Sequence, residues 1–337
     1  MRAFFDARPH LAPTPTTPLP ALARELGLGT LAVKDESARF GLNAFKLLGA
    51  RFAIETLLAE GQLQAGSTVV CASEGNHGRA VARAARDGGC AARVYMARDV
   101  APARVDAIAA EGATVIRVDG SYDDAVRMLE EEASANGWTI VSDTSWPGYD
   151  RIPFLIMLGY SRLMDEIPGE LDAVFVQGGV GGLLCAIASW CACHRPKCKV
   201  IGVEPTQAAC LQASARAGGA VAVEGPLDTT LAGLRNREVS PLAFESLLPN
   251  VDAFMAIDDV WAHDAIRSLA KPLPGDPAIA AGASGSAALG GLLALCRDTS
   301  MREARQQLGL DASSRVLVLV SEGVTDPALW ATVVQEW

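Results

Sequence analysis

Short apolar runs rich in β-branched residues alternate with longer segments of helical period through most of the chain. Thr68–Ala72, Ala92–Met96, Thr114–Val118 and Thr139–Ser142 read as strands, with helices at Gly78–Asp87, Ala103–Glu111 and Tyr122–Ala135 between them. Parallel neighbours need a crossover, so this alternation predicts βαβ units. A second series follows a long predicted helix, Pro153–Glu166. Its strands are Ala173–Val176, Val200–Val203, Asp252–Ile257 and Val316–Val320, with an apolar helix, Gly285–Cys296, before the last. Ahead of the first series, Pro9–Pro20 reads as an extended arm and Ala21–Leu26 as a short helix. The segment after Lys46 reads as a helix to about Glu60, ended by Gly61. The expected fold class is therefore α/β with two open parallel-sheet lobes. Residues 41–151 form a smaller inserted α/β domain and residues 1–40 plus 152–337 a larger one; Gly218–Gly225 is a surface loop.

The 337 residues are 50% apolar, enough for two cores. A net charge of −10 and the lack of any Lys/Arg block argue against nucleic acid as a partner. The opening MRAFFDARPHLAPTPTTPLP lacks the apolar core of a signal peptide, and the least polar windows, Val174–Cys193 and Ile279–Leu295, are interrupted by glycine. No membrane span is expected. Eight cysteines without framework spacing suit a reducing cytoplasm. Cys191, Cys193, His194 and Cys198 are close in sequence, but Cys191 and Cys193 point to different sides of a helix, so thiols rather than a metal site are expected.

Chemistry concentrates at one lysine and four loops. Lys46 lies between Phe45 and Leu47, with Gly49 following. An ammonium in apolar surroundings either pairs or has its pKa lowered, and the latter suits a Schiff base; the plainer alternative is a lysine snorkelling from an amphipathic helix. Each loop follows a predicted strand, where open α/β sheets bind ligands. Ser73-Glu74-Gly75-Asn76-His77-Gly78 offers a donor, Asn76, at a helix start; Asp143-Thr144-Ser145-Trp146 puts a carboxylate at a strand end. Gln177-Gly178-Gly179-Val180-Gly181-Gly182 allows close approach of a phosphate to a helix N-terminus. Ser321-Glu322-Gly323 adds a hydroxyl and a carboxylate. Neither GxGxxG nor a Walker motif is present. A phosphate cradle with an apolar-flanked lysine points to pyridoxal phosphate held as a Schiff base. Taken singly, Asn76 reads first as a helix cap, Asp143 as a turn residue and His77 as structural; their shared order and strand positions give them the joint chemical reading.

The motifs FGLNAFK and FKLLGA around Lys46, ASEGNHG, NHGRAVA, DTSWPGYDRIPFLIMLGY, QGGVGG, TTLAGL and SEGVTDP run in order from Lys34 to Pro327. In them the chain resembles the fold-type II pyridoxal-phosphate enzymes, the tryptophan-synthase-β and threonine-dehydratase superfamily, and within it the diaminopropionate ammonia-lyases. The resemblance implies that the larger domain binds pyridoxal 5'-phosphate and that Lys46 carries the aldimine. It further implies that Asn76 contacts the ring hydroxyl, Gly178, Gly179, Val180, Gly181 and Gly182 hold the phosphate, and Ser321 faces the pyridine nitrogen. Glu74 and Asp143 match acidic residues near the substrate. The implied enzyme is a homodimeric ammonia-lyase that carries out α,β-elimination on a small amino acid, 2,3-diaminopropionate giving pyruvate and ammonia. Serine or threonine dehydration, cysteine-synthase-like β-replacement and cofactor binding without turnover are the alternatives. Two departures bear on substrate choice. Glu74 stands where the family has Asp, and the family's SGESG reads Ala281-Gly282-Ala283-Ser284-Gly285, without a carboxylate at Ala283.

Overall fold

The structure, a computed structural model, describes residues 1–73 and 75–335. The described strands in chain order are β1 (Thr16–Pro18), β2 (Thr30–Asp35), β3 (Thr68–Ala72), β4 (Ala91–Ala97), β5 (Thr114–Val118), β6 (Thr139–Ile140), β7 (Ala173–Gln177), β8 (Lys199–Pro205), β9 (Ala253–Ile257) and β10 (Arg315–Val320). The chain divides into two units: Met1–Pro9 with Lys46–Arg162, and His10–Phe45 with Leu163–Trp337.

The first unit is built on a four-stranded parallel sheet of order β5-β4-β3-β6. Val69, Val70 and Cys71 of β3 are all buried, as a parallel strand covered on both faces requires. The helix Tyr122–Asn136 is bounded by local chemistry at both ends. Ser121 and Asp124 form a reciprocal capping box, and Gly137 ends it in the left-handed conformation at φ 66°. β6 stops at Ile140, two residues earlier than the pattern predicts, because the Ser142 N–H is donated to the Tyr149 hydroxyl.

Helices Leu47–Ala59 and Arg151–Tyr160 of this unit press backbone against backbone. A Cβ on Gly49 would lie 2.5 Å from Tyr160 Cε1 and 2.7 Å from the Ile156 carbonyl oxygen; one on Gly159 would lie 2.6 Å from the Leu48 carbonyl oxygen. The second helix ends at Tyr160 rather than running unbroken to Glu166. The Ser161 hydroxyl bonds back to the Leu158 carbonyl, and a separate turn, Arg162–Asp165, follows.

The second unit carries a six-stranded sheet of order β1-β2-β10-β7-β8-β9, parallel apart from the antiparallel β1–β2 pair. Helix Ala283–Arg297, with Leu289, Leu292 and Leu293 fully buried, lies in its main core. β2 is the element that the hydrophobic pattern conceals, since its run ends in Lys34, Asp35 and Glu36. Lys34 and Glu36 are nonetheless fully buried. Lys34 Nζ donates to Glu166 at 2.6 Å and to the Thr14 carbonyl at 2.7 Å, while Arg39 pairs with both Glu36 and Glu166. Two cations facing two carboxylates satisfy one another, which is what allows a charged strand end inside a protein.

Replacing Gly49 by alanine is expected to destabilise the protein by about 1–3 kcal/mol, because the new methyl meets a carbonyl oxygen that belongs to a helix and cannot swing away. Urea unfolding of G49A against wild type measures it; an unchanged midpoint would contradict the close approach.

Candidate active site

In the first unit, Lys46 immediately precedes helix Leu47–Ala59. A cation there faces the positive end of the helix dipole and needs a counter-charge. Asp143 supplies it, with Lys46 Nζ donating to Asp143 Oδ2 at 2.6 Å; the side chains are 24% and 19% exposed, so the pair is withdrawn yet reachable. Of the two outcomes open to a lysine among apolar neighbours, this chain takes pairing. Burial alone would lower the Lys46 pKa, but the Asp143 carboxylate and Tyr160 outweigh it and hold the ammonium above its ordinary range. Burial would likewise raise Asp143, but His77 and Lys46 hold its carboxyl well below the usual carboxylate range. Lys46 Nζ also lies 5.7 Å from the centre of the Tyr160 ring, whose place at the end of its helix follows from the Gly49–Gly159 approach.

His77 is buried. Its Nε2 lies 2.9 Å from the Val141 carbonyl oxygen, which can only accept, so that nitrogen carries a proton; Nδ1 faces Asp143 Oδ2 at 3.6 Å. Asn76 opens helix Asn76–Asp87, with Gly75 at the cap position. Ser73 supports this helix start, its hydroxyl accepting from the N–H groups of Gly75 and Gly78. Glu74 lies outside the described residues.

Asp143 owes its position to a residue that motif reading passed over. The Tyr149 hydroxyl donates to the Ile140 carbonyl at 2.8 Å and accepts from the Ser142 N–H at 2.9 Å, while its ring stacks on Trp146 at 3.9 Å. The tyrosine thus closes the loop around Asp143 from both sides. Tyr149→Phe removes both bonds and keeps the stack. A loss of about 1–2 kcal/mol is expected, read as a lowered Tm; an unchanged Tm would show that the clamp carries no load.

The second unit holds the glycine loop and Ser321. Gly178 to Gly182 connect β7 to helix Gly182–His194, and Gly181 takes φ 96° at the helix entry. A Cβ on Gly178 would meet Leu211 Cδ1 at 2.3 Å and one on Gly179 the Asn236 amide at 2.4 Å. Gly178 N–H is committed to Val203 and the Val180 carbonyl to Ser240. Gly179 and Val180 at the crest are half-buried. At the end of the adjacent β10, Ser321 is 5% exposed and accepts from Gln177 Nε2 at 2.6 Å. The Glu322 N-terminal neighbour is thereby a hydroxyl tied to the sheet, while Glu322 itself is buried, with its carbonyl accepting from Gly282 N–H.

The donor set suits pyridoxal phosphate: a primary amine with a counter-ion, a glycine loop at a helix N-terminus in which added methyl groups would collide, and a neutral hydroxyl at a strand end. Lys46 and Asp143 are brought together within one unit, and the glycine loop and Ser321 within the other. Among the described residues, no cluster of His, Cys, Asp and Glu could hold a metal, and no helix is long and apolar enough to cross a membrane.

Comparison with known proteins defines the class. The chain belongs to the pyridoxal-phosphate dependent enzyme family, whose model matches residues 7–322, and its cofactor is pyridoxal 5'-phosphate. It is similar to diaminopropionate ammonia-lyase of Escherichia coli (strain K12), at 37% identity over 99% of this chain and 90% of that protein. The solved Escherichia coli diaminopropionate ammonia lyase in complex with an aminoacrylate-PLP azomethine reaction intermediate matches with a TM-score of 0.89 and 37% identity, covering 96% of this chain and 88% of that one. Phenylserine dehydratase of Ralstonia pickettii is 32% identical over 75% of this chain and 76% of that protein. The expected α/β architecture of fold type II is thus observed.

A second residue beyond the motifs supports the glycine loop. Glu204, 1% exposed at the end of β8, accepts from the N–H groups of Leu211 and Gln212 and so caps helix Cys210–Ala217, whose Leu211 backs Gly178. Burial pushes its carboxyl up from 4.5 to about 7. The fold therefore favours the protonated form. This contribution, about 3 kcal/mol at most, is fully present below pH 4.5 and is lost as pH rises through 7. The stability difference between wild type and E204Q should thus shift with pH between those values and level off above them. Parallel unfolding curves for the two proteins from pH 4.5 to 8 would contradict it.

Proposed function

We propose that this enzyme is an ammonia-lyase that converts 2,3-diaminopropionate and water to pyruvate and two ammonia. The supporting observation is its similarity along nearly the whole chain to diaminopropionate ammonia-lyase, at 37% identity. When bound, pyridoxal phosphate supplies a carbonyl to take the substrate amine and a ring that draws electrons from Cα. In this reading Lys46 holds the cofactor and then removes the Cα proton. Asp143, kept ionised, steadies the Lys46 ammonium and must release it before the amine can act. Gly178, Gly179, Val180, Gly181 and Gly182 hold the phosphate, Asn76 the ring hydroxyl and Ser321 the pyridine nitrogen. Glu74 is the acidic group for the leaving amine or the opposite face of Cα.

The larger unit is proposed as the cofactor-binding domain and the enzyme as a homodimer. All eight cysteines are free thiols, which supports a reducing cytoplasm. Ala283, at the start of helix Ala283–Arg297, favours serine or threonine dehydration as a second reading, since a missing carboxylate weakens the hold on an ammonium leaving group.

Both enantiomers of diaminopropionate, serine, threonine and O-acetylserine should be supplied while pyruvate and 2-oxobutyrate are followed. Pyruvate from diaminopropionate well above the other substrates is expected; strong threonine turnover with none of diaminopropionate would sink the proposal. Lys46→Ala should lose turnover by about three orders of magnitude or more, the scale of removing a general base and its cofactor link, and also the visible absorbance of lysine-bound pyridoxal. A purified mutant that keeps that absorbance would remove Lys46 from its role.

A further inference from the structure

Gln177 ends β7 beside Ser321, and its side chain is buried at 2% exposure. Its Nε2 donates to Ser321 Oγ at 2.6 Å and to the Gly285 carbonyl oxygen at 3.1 Å. A backbone carbonyl has no proton to give, so Gly285 fixes which end of the amide is nitrogen. The same nitrogen faces Ser321, and one of the serine lone pairs is therefore committed as an acceptor. The serine proton must point away from Gln177, and among the described residues no acceptor takes it.

We propose that Gln177 is a positioning residue that makes Ser321 a hydrogen-bond donor and so keeps the cofactor's pyridine nitrogen unprotonated. The inference rests on the reading above in which Ser321 meets that nitrogen. An unprotonated nitrogen accepts the Ser321 proton and satisfies both groups. A protonated one could use the second serine lone pair only by leaving a nearly buried O–H without an acceptor, which is unfavourable. The ring then remains the weaker electron sink, and departure of the β-substituent is favoured over return of a proton to Cα. Gln177 stands in the QGGVGG motif directly before the phosphate loop, so one strand end serves both ends of the cofactor.

The test uses holoenzyme loaded with pyridoxal phosphate labelled with ¹⁵N at the ring. Wild type should give the resonance of an unprotonated pyridine nitrogen. Gln177→Leu, and Gln177→Glu as the variant closer in size, should move that resonance toward the protonated position. Exchange of the α-proton in deuterated water, relative to elimination, should rise by up to about tenfold, the effect of one neutral hydrogen bond. In a Ser321→Ala background, Gln177→Leu should change neither quantity further, which a merely structural role would not produce. A protonated nitrogen in wild type, or unchanged resonances in both folded variants, overturns the inference alone. A wild-type chain that takes up no pyridoxal phosphate overturns the underlying reading and this inference with it.

Discussion

An ammonium and a carboxylate largely withdrawn from water are tolerable only if each neutralises the other, and the Lys46–Asp143 pair imposes that condition on the first unit. The two residues are 97 positions apart and meet at 2.6 Å. One begins a helix and the other follows the end of β6. The Gly49–Gly159 approach brings Tyr160 beside the lysine, the Tyr149 hydroxyl closes the loop around the aspartate, and His77 faces the carboxylate from helix Asn76–Asp87. Each supporting contact restricts a group whose charge would otherwise seek solvent.

The second unit solves a different problem, that of holding loops still at the ends of parallel strands. It does so by committing polar groups to one another beneath the loops. Gln177 ties Ser321 to Gly285, Glu204 caps the helix behind Gly178, and Ser284 accepts from Gly233 N–H. The charged cluster of Lys34, Glu36, Arg39 and Glu166 similarly holds Thr14 of the N-terminal arm, whose carbonyl accepts from Lys34, whose hydroxyl accepts from Arg39 and whose N–H donates to Glu166. Binding loops are usually mobile, and bonds of this kind are what set a glycine-rich segment in one conformation.

Much of this was legible beforehand. The strands of the first sheet and the helix around Leu289 follow from β-branched runs and helical period, and the four loops follow from their places after strands. β2 was not, because a strand that ends Lys34-Asp35 and is followed by Glu36 looks solvated until its charges are seen to pair. Nor was the break at Ser161, where a hydroxyl competes with the backbone for one carbonyl. Tyr149 lies inside a recognisable motif, DTSWPGYDR, but a motif names a residue without saying which backbone groups it joins. In sequence Gln177 is only the first letter of a glycine loop, although a buried amide at a strand end signals that both of its hydrogens must find acceptors.

The sequence by itself determined the family, the cofactor and the residue types, because a lysine among apolar neighbours, a glycine loop before a helix and a hydroxyl after a strand are local patterns. Only the tertiary structure decided the electrostatic state of those residues. A pKa depends on distances and burial, and these are set by chain segments far apart in sequence. Lys46 could have been neutral or paired, and the loop carrying Asp143 made it paired. Ser321 could have accepted or donated, and Gln177, held by the carbonyl of Gly285, left it to donate.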